Sequence, residues 1–235
     1  RALPSSRSFS QSSLLLAAMA VAVVVGAGRA AESITKLLLN SGSKVALVGS
    51  KPTTQSNLIS ALKEEAEEAV PFMFVDDLKH QEDHVRRRLA RVSFHNDMGS
   101  ILEDVKIVFD ADESKKEDIV YATRSMFPRT PVASLLSSAT ISLKDNLHLG
   151  LHLYEPVQIT KIAQIVHKRD SDSAALLTLR ATLENAGIHE ITASEAREAD
   201  EAMSTWNGND RSDLQSIIST LLGVPSKHEL HQIMH

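Results

Sequence analysis

A chain of 235 residues that is 43% hydrophobic and 23% charged can bury its own core and is too apolar to be disordered throughout. It contains no cysteine, which removes disulfide frameworks, thiolate nucleophiles and cysteine-held zinc or iron–sulfur clusters. A net charge of −5 and only 4% aromatic residues argue against the basic, stacking surface of a dedicated nucleic-acid binder.

The first 31 residues hold three arginines (Arg1, Arg7, Arg29) and no acid; the first carboxylate is Glu32. Ser5, Ser6, Ser8, Ser10, Ser12 and Ser13 complete a composition that suits an organellar import segment. Arg7-Ser8-Phe9-Ser10 is similar to a mitochondrial processing site. Residues 1–19 are therefore expected to be a transit-peptide-like tail, and the protein to be mitochondrial; a tail with chance serines is the bland alternative. The apolar run over 14–25 falls short of the roughly 20 residues a membrane-spanning helix needs. No transmembrane segment is expected, and the run leads straight into Gly26, as a buried strand would.

The β-branched apolar run over 20–25 reads as a strand, Gly26-Ala27-Gly28 as a turn, and 29–40 as a helix with Ile34, Leu37 and Leu38 at helical spacing. Gly42 closes that helix and 44–48 is a second strand, which makes a βαβ unit. Helices follow over 55–70 and 82–91, then strands over 92–94 and 106–109 around a short helix at 99–103. A helix over 115–126 and a strand over 131–135 continue the alternation. Strands over 147–153 and 159–167, a helix over 173–186 and a strand over 188–192 complete it. Such an alternation predicts an α/β fold, a Rossmann-like, doubly wound, mostly parallel sheet over residues 20–193. Beyond Ser194 the pattern turns helical and more polar, over 195–206, 213–222 and 227–234, so 194–235 is expected to be a helical appendage.

The turn reads Gly26-x-Gly28-x-x-Ala31. In a dinucleotide-binding fold the first glycine permits the tight turn and the second lets backbone approach a pyrophosphate. The small third residue then brings helix and strand together, with helix N–H groups facing the phosphates. An acid normally ends the second strand and binds the adenosine ribose. Here Val48 is followed by Gly49-Ser50-Lys51, with no acid. Ser50 and Lys51 either meet a 2′-phosphate or form a solvated loop. Arg29 puts a bulky side chain inside the turn, where it competes for phosphate space.

Three segments together resemble the 3-hydroxyacyl-CoA dehydrogenase family. They are Val23-Val24-Val25-Gly26-Ala27-Gly28, then Arg91-Val92-Ser93-Phe94 with Ile107-Val108-Phe109-Asp110-Ala111, then Gly150-Leu151-His152-Leu153-Tyr154-Glu155-Pro156-Val157 with Lys161-Ile162-Ala163-Gln164-Ile165-Val166. The resemblance implies an NAD-binding fold and places His152 where the family's catalytic base takes the proton of a 3-hydroxyl while hydride moves to NAD. The glutamate that partners that histidine falls at Gln164, whose amide holds a ring N–H but supplies no charge. Glu155 replaces the family's asparagine and Asp110 its glutamate, while Ser137 matches a serine that contacts substrate. No counterpart of the family's Pro-Gly-Phe turn follows the last strand. With 41 residues after Ser194, the resemblance implies that the family's helical domain is absent or reduced to a fragment, leaving half of the acyl-CoA cleft without a wall.

Other clusters read more plainly. His80 and His84, and likewise His228, His231 and His235, have spacings that suit a metal, but lack further ligands and fit solvated helix faces better. Arg86, Arg87, Arg88 and Arg91 fit a solvated or partner-facing helix. Trp206 fits a packing anchor. Three functional readings remain. The first is a catalytically inactive dehydrogenase-like accessory subunit that joins other protein subunits in a mitochondrial assembly and needs no cofactor. The second is a module that still binds NAD(H) or NADP(H) through Gly26, Gly28, Ala31, Ser50 and Lys51. The third is an active NAD-dependent oxidoreductase using His152 with Gln164.

Overall fold

The computed structural model describes residues 21–73, 78–112, 116–136 and 142–206, together with 214, 216, 218 and 219. The N-terminal tail, Ser137 and the histidines at 228, 231 and 235 lie outside the described residues.

The first strand, β1 (Val21–Val25), is parallel to β2 (Lys44–Val48) on one side and to β4 (Val105–Asp110) on the other. Beyond β2 lies β3 (Val92–His95); beyond β4 lie β5 (Val132–Leu135), β6 (His148–Leu153), β7 (Ile162–Val166) and β8 (His189–Glu190). The order β3-β2-β1-β4-β5-β6-β7-β8 reverses direction between β1 and β4. In open α/β sheets, ligands bind in the crevice at the carboxyl ends of the strands at this point. The first six strands run parallel; β7 turns back antiparallel to β6, and β8 runs parallel to β7.

A parallel sheet must be covered on both faces, and β1 shows how the sequence meets that need. Its residues alternate between two apolar clusters. Ala22 and Val24 pack with α1 (Arg29–Asn40), through Ile34 and Leu38, and with Leu179 and Leu183 of α6 (Ser173–Asn185). Leu58 and Leu62 of α2 (Pro52–Met73) join the same cluster. Val21 and Val23 pack on the opposite face with Ile119 and Val120 of α4 (Lys116–Met126). The helix α3 (Leu78–Leu89) leads into β3.

Two expected elements differ. The segment over 99–103 forms a single 3-10 turn, Met98–Ser100, capped by the Asp97 carboxylate accepting from Ser100 N–H at 3.1 Å; Ile101 is already extended. The expected strand over 159–167 is split into one helical turn, α5 (Val157–Thr160), and β7. Lys161, at φ 51°, closes that turn in the left-handed region. The chain must reverse here to set β7 antiparallel to β6, and a short apolar run does not tell a helical turn from a strand.

A buried polar chain crosses the sheet from β4 to β6. Asp110, Ser134 and His148 are 0%, 0% and 1% exposed. Nδ1 of His148 accepts from the Lys144 backbone N–H at 3.0 Å, which leaves Nε2 as the protonated nitrogen of a neutral ring. Nε2 is 2.9 Å from Ser134 Oγ, and the Ser134 hydroxyl donates to Asp110 Oδ2 at 2.8 Å. Asp110 Oδ1 accepts from Asp112 N–H at 3.1 Å. Burial pushes His148 down to about 4; Arg124, Lys144 and Lys168 add to the fall, against the pull of Asp145. Asp145 receives two bonds from the Arg124 guanidinium, at 2.6 and 3.0 Å, and the bonded guanidinium holds its carboxyl below the ordinary range.

Two glycines of the turn make a matched test. Both have positive φ, 136° at Gly26 and 130° at Gly28. A Cβ on Gly26 would stand 2.9 Å from the Ala111 carbonyl carbon, whereas one on Gly28 would meet nothing within 4 Å. Gly26→Ala is therefore expected to lose about 3 kcal/mol or more, and Gly28→Ala only the backbone strain of about 1–2 kcal/mol. Urea denaturation decides this; equal losses would refute the close approach to Ala111.

His148 makes the fold acid-sensitive. Above pH 6.5 the ring is neutral in both the folded and the unfolded chain and contributes no pH dependence. Between pH 6.5 and about 4 the unfolded chain takes up a proton that the folded chain refuses. Stability therefore falls as the pH falls through that window, by up to about 3 kcal/mol before solvent screening reduces it. Denaturation midpoints across the window should fall less steeply for His148→Gln than for the wild type. Parallel curves would show that His148 protonates freely in the fold.

Candidate functional site

The carboxyl ends of three strands meet around the glycine turn. Gly26 N–H donates to the Val48 carbonyl at 3.0 Å, and Ala111 N–H donates to the Val25 carbonyl at 2.8 Å. Gly28 caps α1 with no side-chain hydrogen bond to the first helical turn. Ala31, 1% exposed, lets the helix sit down on the sheet. The open space beside Gly28 and the uncapped start of α1 fit a dinucleotide pyrophosphate. At the ribose end the residues present are Gly49, with φ 68°, Ser50 and Lys51, and no acid stands among residues 49–55.

The second group of expected residues lies on β6 and β7. His152 and Gln164 are direct Cα partners across the antiparallel pair, so the fold brings together two residues twelve positions apart. They are neighbours, yet His152 Nδ1 is buried and has no hydrogen-bond partner among the described residues. The imidazole instead meets the Tyr154 ring edge-on, with centroids 4.5 Å apart at 85°. Tyr154 is 3% exposed, and its hydroxyl donates to the Ala196 carbonyl at 3.2 Å. Burial first, and then the charge and hydrogen bond of Asp200, push the phenol up to about 12. Glu155, in the position of the family's asparagine, accepts from the Val157 N–H at 3.2 Å.

His152 borders a cavity of about 840 Å³ whose walls include Leu135, Leu136, Asp200, Met203 and Trp206. The last three belong to or directly follow α7 (Ala193–Thr205). Helix α7 thus forms one wall of this cavity. Tyr154, Ile162 and Ile191 form an apolar patch that covers itself with Ala196 and Ala199 of α7 and with Leu214 and Ile218. A capping box starts the helix, Thr192 accepting from Glu195 N–H and the Glu195 carboxylate accepting from Thr192 N–H. Trp206 packs against this cluster and also lines the cavity. Arg29 lines the cavity as well, together with Ser33 of α1.

The role of Asp200 was not legible beforehand, since nothing in its local sequence marks it as a partner for a tyrosine 46 positions earlier. On α3, burial first and then the guanidinium groups of Arg88, Arg87 and Arg91 hold His84 below its usual value. Among the described residues no group of three or more histidines and acids is placed to hold a metal, and no helix is long and apolar enough to cross a membrane.

The family model for the NAD-binding domain of 3-hydroxyacyl-CoA dehydrogenase matches residues 21–196. Comparison with curated protein sequences finds no match. Among solved structures, (S)-3-hydroxybutyryl-CoA dehydrogenase from Ralstonia eutropha is similar at a TM-score of 0.61 and 17% identity, over 74% of this chain and 63% of that one. FadB2 of M. tuberculosis is similar at 0.60 and 18% identity, over 92% and 94%. The 3-hydroxybutyryl-CoA dehydrogenase of Escherichia coli is similar at 0.58 and 14% identity, over 92% and 56%. These identities show a shared fold, and the chain spans less than two thirds of the Ralstonia and E. coli enzymes. The matched stretch runs from the first residue of β1 into α7, and across it the chain belongs to the NAD-binding domain family of the 3-hydroxyacyl-CoA dehydrogenases.

Proposed function

We propose that this protein is a non-catalytic member of its family, a dinucleotide-binding accessory subunit of a mitochondrial protein assembly. One observation carries the reading: the strand partner of His152 is Gln164, and the buried Nδ1 of His152 is unpaired among the described residues. When bound, a nicotinamide dinucleotide supplies the hydride acceptor or donor. The protein's part would be to take or return the hydroxyl proton at His152, which creates an imidazolium in a partly buried site. A carboxylate stabilises that charge and orients the ring; an amide does only the second. In a Ser-His-Asp triad the corresponding carboxylate-to-amide change costs on the order of 10⁴-fold in rate. The neighbouring Tyr154 hydroxyl does not replace it, being directed to Ala196 and Asp200.

The open cradle at Gly28 supports dinucleotide binding. The arginine- and serine-bearing, acid-free stretch over residues 1–31 supports the mitochondrial location. A second reading, an active oxidoreductase, draws its support from the cavity beside His152.

Incubation of the purified protein with NADH or NADPH and acetoacetyl-CoA separates the two. No cofactor oxidation is expected; turnover that disappears in His152→Ala would overturn the non-catalytic reading. For the accessory role, the tagged full-length protein should co-migrate with a large assembly from mitochondrial extracts. Migration as a free protein in the cytosolic fraction would refute both the location and the role.

A further inference from the structure

The end of the second strand decides which dinucleotide a Rossmann-type sheet accepts. A carboxylate there accepts bonds from the ribose hydroxyls and repels a 2′-phosphate, whereas cationic and hydroxyl donors favour the phosphate. In this protein that segment is held firmly. Val48 accepts from the Gly26 N–H at 3.0 Å, and the Gly49 N–H donates to the His95 carbonyl at 3.0 Å. Residues 49–51 are thereby fixed beside the glycine turn, where the adenosine ribose of a bound dinucleotide falls.

The groups on this segment are donors. Gln55 Nε2 donates to Ser50 Oγ at 3.1 Å, which fixes the hydroxyl and leaves its proton to be given to a ligand. The backbone carbonyl of Lys51 accepts from Gln55 N–H at 3.1 Å, while its exposed side chain has neither a hydrogen bond nor an ion pair among the described residues. Competing groups nearby are already engaged. The His95 ring sits between Ser100 Oγ and Ser93 Oγ, each at 2.8 Å. Asp97, the acid following β3, is turned to the Ser100 N–H at 3.1 Å.

We propose that Ser50 and Lys51 form a 2′-phosphate subsite and that this protein binds NADP(H) in preference to NAD(H). The inference rests on the dinucleotide-binding part of the proposed function and adds its cofactor class. Lys51 supplies the compensating charge, and Ser50 a directed hydroxyl donor. The ribose acid is absent because its negative charge would oppose the phosphate dianion.

Isothermal titration of the full chain with NADPH and with NADH tests this without any turnover. NADPH is expected to bind about tenfold or more tightly than NADH, the size of one charge-assisted contact. Lys51→Glu should abolish or reverse that preference and leave the thermal midpoint of the free protein unchanged, because the side chain is exposed. Ser50→Ala should weaken NADPH binding several-fold and leave NADH binding alone. Equal affinities, or tighter binding of NADH, would overturn the subsite while dinucleotide binding stands. A preference for NADPH that survives both substitutions would overturn the assignment to Ser50 and Lys51. Binding of neither ligand at millimolar concentration would overturn the dinucleotide reading itself, and the subsite with it.

Discussion

The fold turns on the contact between Gly26 and the backbone of Ala111. The chain leaving β1 must pass over the exit of β4 at the place where the sheet changes direction, and there is no room for a Cβ. Only this approach allows Gly26 to bond with Val48 and Ala111 to bond with Val25, so that three strand ends are tied to one turn. The start of α1 then lies beside the crevice, with Ala31 small enough to seat the helix. The open cradle at Gly28 and the position of residues 49–51 are consequences of that single crossing.

The carboxyl-terminal half of the sheet solves a different problem. After six parallel strands the chain reverses at α5, and β7 lies antiparallel to β6. That reversal makes His152 and Gln164 neighbours and leaves Tyr154, Ile162 and Ile191 as an apolar patch beyond the main core. Burying such a patch is worth several kcal/mol, of order 25 cal/mol for each Å² removed from water, and α7 is the element that covers it. The Tyr154 hydroxyl is accommodated in the patch by donating to the Ala196 carbonyl, with Asp200 acting on it from α7. The same helix brings Asp200 and Met203 to the cavity beside His152 and lines one side of it.

Polar groups inside the sheet follow the rule that burial demands a partner. Asp110, Ser134 and His148 satisfy one another in sequence from β4 to β6 and tie three strands by their side chains as well as their backbones. His152 is the contrast. Its Nδ1 is buried with no such partner among the described residues, although the amide-bearing Gln164 is its direct strand partner. An unpaired buried nitrogen is costly in a finished core and is tolerated where a cavity adjoins it.

How much of this was legible in the chain depends on the range of the interaction. The glycine turn, the β-branched run before it and the amphipathic 29–40 segment are local patterns, and each determined its element because steric and solvent preferences act over a few residues. The alternation of such elements determined the α/β class and the parallel sheet, and the missing acid after Val48 was plain from the order of residues alone. The segment over 159–167 divides into a helical turn and a strand, because a few apolar residues fit one helical turn as well as a strand, and the short helix expected over 99–103 is a single 3-10 turn one residue earlier. Only the tertiary structure decided that His148 joins Ser134 and Asp110, that Asp200 holds Tyr154, and that α7 walls the cavity. Those partners lie 14 to 46 positions apart on different elements, and no local preference encodes which distant side chain will share a buried site.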